Sequence, residues 1–462
     1  MKCFWGKWFR NIAAALIAVL LTACLAGCSS DEPEKEKTTP TPTPTVVVNV
    51  ATSTPTPTEA PTPTPEEKVK LTMWCALEVN DVYYQPFMEA INELKEKYPN
   101  AELELKLIDY YEYWETVMSA GQSKELPDLI YIWGGHQLDI AAEYDMICSL
   151  DTAYAPYKDD LQEKMFSALS YNGSKYAIPF NLAAGSFLYA NMNILESVGF
   201  DEIPKTLDDL YNCCDKLLAK GITPFRVPAK DNWDLSFFVE AMLLKSCGAG
   251  ELMSICSGAS SWDTPLVARA FDTFREMIEK GYIAVDEYDA DGDEMTTDAV
   301  KNEFVQGNSA FLISYAALAC EFYSYMNDRI AAAAFPDFDA SAGTSGQLIG
   351  APTDAIAVCN KEGNLSFTEE YAFELAKRVS RNAYLMYEMA PVWNVDYNDV
   401  TANAGTKMIG ELLQSQDIET LVPEISSFAE GMEYYTFYEL LPQLAAGTID
   451  GSEFGKKIEA AE

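Results

Sequence analysis

The chain has 462 residues, with 32 Lys and Arg against 71 Asp and Glu, a formal charge of −39. That excess excludes nucleic acid as a partner and a basic face lying on anionic lipid, because both need clustered Lys and Arg. A single histidine leaves little room for His-rich zinc sites or histidine-centred catalysis.

A content of 48% hydrophobic and 12% aromatic residues is enough for sizeable cores, and the length predicts two or three domains. An acidic, aromatic-rich chain remains compatible with a carboxylate-based hydrolase or a sugar binder.

The first residues read as an export signal. Lys2, Lys7 and Arg10 precede an uncharged, mostly apolar stretch at 12–26, too short for a comfortable membrane span. It ends in Leu25-Ala26-Gly27-Cys28, the pattern of a bacterial lipobox, in which the Cys28 thiol takes a diacylglycerol before cleavage. Residues 1–27 are therefore expected to leave as a signal peptide. Their loss removes three positive charges and no acid, so the formal charge moves from −39 to −42.

Residues 28–67 are expected to form a lipid-anchored linker. Within it, 38–65 contain 11 Thr and 8 Pro. Proline fixes φ and denies helix and sheet, so the stretch is extended, with a reach of roughly 85 Å at ~3.1 Å per residue. This predicts an ordered part held off the outer face of a Gram-positive cell membrane, attached through lipid rather than charge.

Eight cysteines remain beyond the export segment. Cys247 and Cys256 are the candidate disulfide; buried thiols within apolar runs are the alternative for all eight. No Cys-x-x-Cys pair marks a zinc ribbon.

From residue 68 strands alternate with helices. An apolar strand is predicted at 69–74 and a helix over 87–98, closed by Pro99. At 102–108, Leu103, Leu105 and Leu107 alternate with Glu102, Glu104 and Lys106. Residues 113–119 are helical in pattern. The run at 128–133 is apolar throughout, as in a strand covered on both faces.

Such alternation implies βαβ units and a mostly parallel sheet, with ligands at the carboxyl ends of the strands, where Trp74 and Trp133 stand. Thr206 caps a helix whose stripe is Leu207, Leu210, Cys214, Leu217 and Leu218. A second helix is expected at 266–280, with Val267, Ala270, Phe271, Phe274 and Ile278. The acidic run 286–294 fails as a calcium loop: counted from Asp289, position 6 is Glu294 and position 12 is Val300. Neither metal nor cofactor is expected.

Several segments, in order, resemble the family 1 extracellular solute-binding proteins of ABC transporters, relatives of the maltose-binding protein. These are Leu126-Pro-Asp-Leu-Ile-Tyr-Ile-Trp-Gly-Gly, Tyr171-Asn-Gly-Ser-Lys-Tyr-Ala-Ile-Pro, and Phe187-Leu-Tyr-Ala-Asn-Met-Asn-Ile-Leu-Glu-Ser-Val-Gly-Phe. Ile203-Pro-Lys-Thr-Leu-Asp-Asp-Leu follows, with Leu207 where the family pattern has tryptophan. Phe304-Val-Gln-Gly-Asn-Ser-Ala-Phe and the terminal Leu444-Ala-Ala-Gly-Thr-Ile-Asp-Gly-Ser-Glu-Phe complete the set.

The resemblance implies an α/β fold of two lobes, the type II periplasmic-binding-protein-like arrangement, with mixed sheets flanked by helices and a ligand cleft at the hinge. It implies a first lobe at 68–179 and 333–393, a second at 183–328 and 396–462, and a hinge near Ile178-Pro179-Phe180. The implied function is capture of a sugar or oligosaccharide for ABC permease subunits, by a monomer and without catalysis. A surface glycoside hydrolase, or a sensory lipoprotein presenting its ligand to a membrane receptor, is the alternative.

Sugars have apolar C–H faces and hydroxyl rims, so a binder offers rings to the faces and carboxylates or amides to the rims. Candidate rings are Trp133, Trp233, Tyr315, Trp393 and Tyr434. Trp133 and Tyr315 fall near sugar-facing positions of the family; Trp233 sits in the polar run Lys230-Asp231-Asn232-Trp233-Asp234. Candidate rim groups are Glu78, Asn80, His136, Asn181 and Asn232. His136 is read as a neutral hydrogen-bonding partner.

Overall fold

The structure is a computed structural model describing residues 68–461, apart from 183–184, 290–291, 340–342, 364, 397–402 and 429–430. The export signal, Cys28 and the Thr-Pro linker lie outside the described residues.

Ten strands build two five-stranded sheets: β1 Val69–Cys75, β2 Ala101–Leu107, β3 Leu129–Trp133, β4 Ala177–Pro179, β5 Phe187–Asn191, β6 Thr223–Pro228, β7 Ile283–Asp286, β8 Ser309–Ser314, β9 Ile330–Ala333 and β10 Asp354–Val358. The first sheet runs β2-β1-β3-β10-β4 and the second β9-β5-β8-β6-β7.

Both sheets follow one plan. Three parallel strands form one side: β1 pairs parallel with β2 and β3, and β6 pairs parallel with β7 and β8. Next comes a single antiparallel strand, β10 in the first sheet and β5 in the second. A last strand, β4 or β9, pairs antiparallel with that one. The sheets are mixed rather than wholly parallel.

Local sequence explains these elements. β5 is buried along its whole length. Phe187 and Tyr189 pack into one core and Leu188 and Ala190 into the other, which is the period of two of a strand covered on both faces. On the edge strand β2, only Leu103 of the alternating leucines is buried, and Leu107 is exposed.

The helix Tyr84–Lys97 buries Phe87, Ala90, Ile91 and Leu94. The helix Tyr110–Ser123 starts ahead of the expected 113 because the Asp109 carboxylate accepts from Tyr111 N at 3.0 Å. Thr206 caps Leu207–Ala219 by accepting from Asp209 N at 3.2 Å. Its buried stripe holds Leu210, Cys213, Cys214 and Leu217, whereas Leu218 stays exposed. Pro265–Glu279 is capped by Thr264 and buries Val267, Ala270, Phe271 and Phe274.

Registry brings the two sheets' carboxyl ends together. Pro179, the last residue of β4, pairs with Ala355 beside the end of β3. Phe187, the first of β5, pairs with Ser314, the last of β8. The crossing 180–186 thus leaves the carboxyl end of one sheet and arrives at the carboxyl end of the other. The return crossing does the same, from Ala333 beside Leu188 to Asp354 beside Trp133.

That return comes later than 333. Phe335, Phe338 and Ile349 pack in the second core, and Gln347–Ile349 pairs with Thr420–Val422. The chain re-enters the first sheet only after 349.

The crossings are hydrogen-bonded to one another. Ser186 N donates to Ile349 O at 3.0 Å, and Gly350 N donates to Val422 O at 2.8 Å. Two buried carboxyls join in: Glu424 accepts from Gly185 N at 3.0 Å, and Glu240 accepts from Ile425 N at 3.1 Å. Burial raises both, and the charge of Glu424 raises Glu240 further; Glu424 is pushed up to about 7.

Trp393 is a core residue here, not a cleft residue. It is buried against Phe373 and Tyr157, and its Nε1–H donates to Pro179 O at 2.9 Å. No disulfide joins Cys247 and Cys256; the eight cysteines of the described region are thiols.

Candidate functional site

On the first lobe, the turn after β1 carries Glu78 and Asn80, both exposed. Asp81 closes it, with its N–H donating to Glu78 O and its carboxylate accepting from Tyr83 N at 2.7 Å. β3 delivers Trp133, half-buried, with its ring meeting Tyr131 at 4.7 Å, Tyr110 at 5.4 Å and Tyr113 at 5.8 Å, all edge-on.

The chain then turns at Gly134-Gly135 into the helix His136–Glu143. Gly135 has φ +82°, and a Cβ there would stand 2.1 Å from Ser427 O. Only glycine allows that approach between the first lobe and the 424–427 segment. His136 is half-buried at the start of this helix. Its charge favours ionised Asp139, but burial prevails and pushes that carboxyl up to about 6.

Asp354 stands opposite Trp133 in the β3–β10 pair. Its Oδ1 accepts from the Tyr131 hydroxyl and its Oδ2 from Asn181 Nδ2 at 2.5 Å. The Asn181 Oδ1 accepts from the Tyr83 hydroxyl. Burial pushes the Asp354 carboxyl up to about 6 despite these donors, and Asp81 adds to the rise. The wall is thus a carboxylate held by the Tyr131 phenol and the Asn181 amide, with the Tyr83 phenol behind the amide.

On the second lobe, the loop after β6 leads into the helix Asn232–Cys247, capped by Asp231 accepting from Trp233 N at 3.0 Å. A pocket of about 490 Å³ is lined by Lys230, Asp231, Asn232, Trp233, Glu294, Met295, Thr296 and Tyr438. Trp233 is 41% exposed and lies parallel to Tyr438 at 6.1 Å, with its edge on Phe237.

Thr297 Oγ1 lies 2.6 Å from Asp231 Oδ2 and 2.7 Å from Asp234 Oδ2. One hydroxyl proton cannot serve both carboxylates. Burial pushes Asp234 up to about 6, so a proton shared with Asp234 completes the set at mildly acid pH. Tyr315 follows β8 and receives Lys301 Nζ at 3.4 Å. Burial opposes the Lys301 charge, but Tyr315, Asp298 and Asp234 outweigh it and raise the group.

The structure therefore sets Trp133 and Asn181 in one network on the first lobe, with Glu78 and Asn80 on a neighbouring turn. Asn232 and Trp233 share the second-lobe pocket, and Tyr315 touches Phe237 behind it. Trp393 joins neither. Tyr434 belongs to the helix Gly431–Ala445, and its side chain lies outside the described residues.

Sequence reasoning missed Asp354, Tyr83, Tyr131, Asp234, Thr297 and Tyr438. An acid opening the apolar run at 354–358 was the available signal for Asp354. Among the described residues no group of three or more His, Cys, Asp or Glu side chains gathers to hold a metal ion.

A family model described as bacterial extracellular solute-binding protein matches residues 80–362, more than half of the chain. The chain belongs to this family. An uncharacterised ABC transporter extracellular-binding protein of Pyrococcus horikoshii is 22% identical over 208 residues, which is 42% of this chain. The match spans just under half of that relative, 45% of its length.

Among solved structures, the bacterial solute receptor AcbH, described as exclusively preferring β-D-galactopyranose, has a TM-score of 0.72 at 14% identity, covering 85% of this chain and 98% of its own. A family 1 extracellular solute-binding protein of Bifidobacterium longum subsp. infantis has a TM-score of 0.67 at 16% identity, covering 86% and 99%. A sugar transporter protein of Bacillus licheniformis in complex with stachyose has a TM-score of 0.55 at 16% identity, covering 85% and 98%. These likenesses show the fold, which is type II periplasmic-binding-protein-like.

Proposed function

We propose that this solute-binding protein captures a sugar or oligosaccharide between its lobes and delivers it to the permease of an ABC importer. The observation that carries the reading is the pairing of aromatic and polar groups at both carboxyl ends. Trp133 with Asp354 and Asn181 stands on one lobe, and Trp233 with Tyr438, Asp231 and Asn232 on the other. Ring faces suit the apolar faces of pyranoses, and carboxylates and amides suit their hydroxyls.

Among structural relatives, a chitin oligosaccharide binding protein and a stachyose complex are consistent with this class of ligand. The lobes take 68–179 with about 350–393, and 183–349 with 396–462. Cys28 supplies the lipid anchor, and 28–67 holds a monomeric receptor off the membrane. The protein does no chemistry; ligand contacts made only in the closed state shift the population toward closure.

The test is a thermal-shift panel of mono- and oligosaccharides. At least one raises the melting temperature, and the same incubation releases no reducing ends. A flat panel would sink the sugar reading, and steady cleavage would replace it with a hydrolase.

A further inference from the structure

The first-lobe wall converges on one side chain. Asp354 receives the Tyr131 hydroxyl and Asn181 Nδ2, while Asn181 in turn receives Tyr83. The Tyr131 ring packs edge-on against Trp133 at 4.7 Å, and Trp133 is the cross-strand neighbour of Asp354. The ring that would meet a solute is therefore oriented through Tyr131. Asp354 is the first residue of the returning strand, so its position is also tied to the crossing between the lobes.

We propose that Asp354 is the positioning residue of the solute cleft: its carboxylate locks Asn181 directly and Trp133 through Tyr131 in the binding arrangement, and its protonation releases them.

An ionised carboxylate accepts at both oxygens and holds both donors at once. A proton makes one oxygen a donor, so either the Tyr131 hydroxyl reverses its bond or the Asn181 amide turns away. The charge acting most on Asp354 is Asp81, from the turn after β1. The other titratable groups that sense it are Cys75 on β1, Tyr83 before the helix Tyr84–Lys97, Tyr110 on the helix Tyr110–Ser123, and Tyr131 on β3. Asp354 titrates in the mildly acid range, near 6, while burial keeps those four protonated well above it. Asp81 is raised by burial as well.

The first arm needs no ligand. Tryptophan emission of the wild-type protein is followed from about pH 8 down to about pH 4.5. A step centred near 6 is expected, and it is absent from both Asp354→Asn and Trp133→Phe. A wild type without the step, or an Asp354→Asn protein that keeps it, overturns the inference. Should Asp354→Asn fail to fold, the comparison of wild type with Trp133→Phe decides alone.

The second arm rests on the proposed function and uses the saccharide that gives the largest thermal shift. Asp354→Asn weakens its binding about tenfold near neutral pH, the scale of one charge-assisted hydrogen bond, and flattens the pH dependence of Kd. Unchanged affinity and an unchanged pH profile overturn the inference. If no saccharide binds the wild type, the proposed function fails, and the emission step still decides the role of Asp354.

Discussion

Trp133 and Trp233 stand on the two walls of the proposed cleft, and their surroundings differ. Trp133 is wedged edge-on among Tyr110, Tyr113 and Tyr131, and the Tyr131 hydroxyl is tied to the buried Asp354 carboxyl. Trp233 is 41% exposed, lies along Tyr438 and touches Phe237. The first wall is preorganised, its rotamers fixed before any solute arrives. The second is a platform on the first turn of a helix beside a pocket open to solvent. Fixed side chains lose little freedom on binding, whereas open ones present more surface. One wall is built for geometry and the other for contact.

The sharpest way to break this contrast is to remove both rings. Trp133→Ala should lower stability by about 3 kcal/mol, since it empties a space lined by three tyrosine rings. Trp233→Ala should change stability by less than about 1 kcal/mol while weakening saccharide binding by about 1–3 kcal/mol. Denaturant melts and calorimetric titration separate the two; equal stability losses would erase the distinction.

The carboxyl pair behind the walls is next. Glu240 and Glu424 are raised in the fold, so the native state keeps protons that the unfolded chain has already released. Their stabilisation is complete below the unfolded carboxylate range near 4.5 and is lost as pH rises through the folded values, about 7 for Glu424. Stability should fall over this window by up to about 3 kcal/mol. Glu424→Gln should flatten the profile; a wild type whose melting temperature stays level from about pH 5 to about pH 8 would refute it.

A smaller effect tests whether Trp393 is structural. Trp393→Phe leaves the buried Pro179 carbonyl without its donor, at about 1–2 kcal/mol of stability, and should leave Kd untouched. A shifted Kd would return this residue to the binding machinery. The smallest change is expected from Lys230→Ala. It removes an exposed ion pair with Glu294 at 3.5 Å, and such pairs contribute under about 1 kcal/mol.

The fold was largely legible because its signals are local. Thr206 caps where a hydroxyl residue precedes an apolar stripe, and β3 is an apolar run because both faces are covered. The antiparallel strands were not legible. β10 is local in composition but finds its partners, β3 and β4, across a long stretch of sequence, and nothing in 354–358 names them. The lobe boundary failed for the same reason: 334–349 looks like a link but packs Phe335 and Ile349 against the second core.

Of the candidate site, Trp133, Asn181, Asn232 and Trp233 are legible as candidates because they are rings or amides at strand ends or in polar, loop-like runs. Trp393 misled because a tryptophan after proline looks the same whether its indole meets a solute or a carbonyl. Asp354 stayed hidden because its role comes from being opposite Trp133, a relation between strands rather than within one.

The placement of β10 also sets an order of events. β3 and β4 cannot be joined until residues 354–358 exist, and by then the strands of the second sheet have all been made. A chain stopped short of Asp354 therefore carries a first lobe with an open edge on β3, a template for pairing with other chains. Late closure by a distant strand makes assembly slow and non-local. A nascent protein of this design stays unfinished, and exposed to chaperones and proteases, until most of its length has been synthesised.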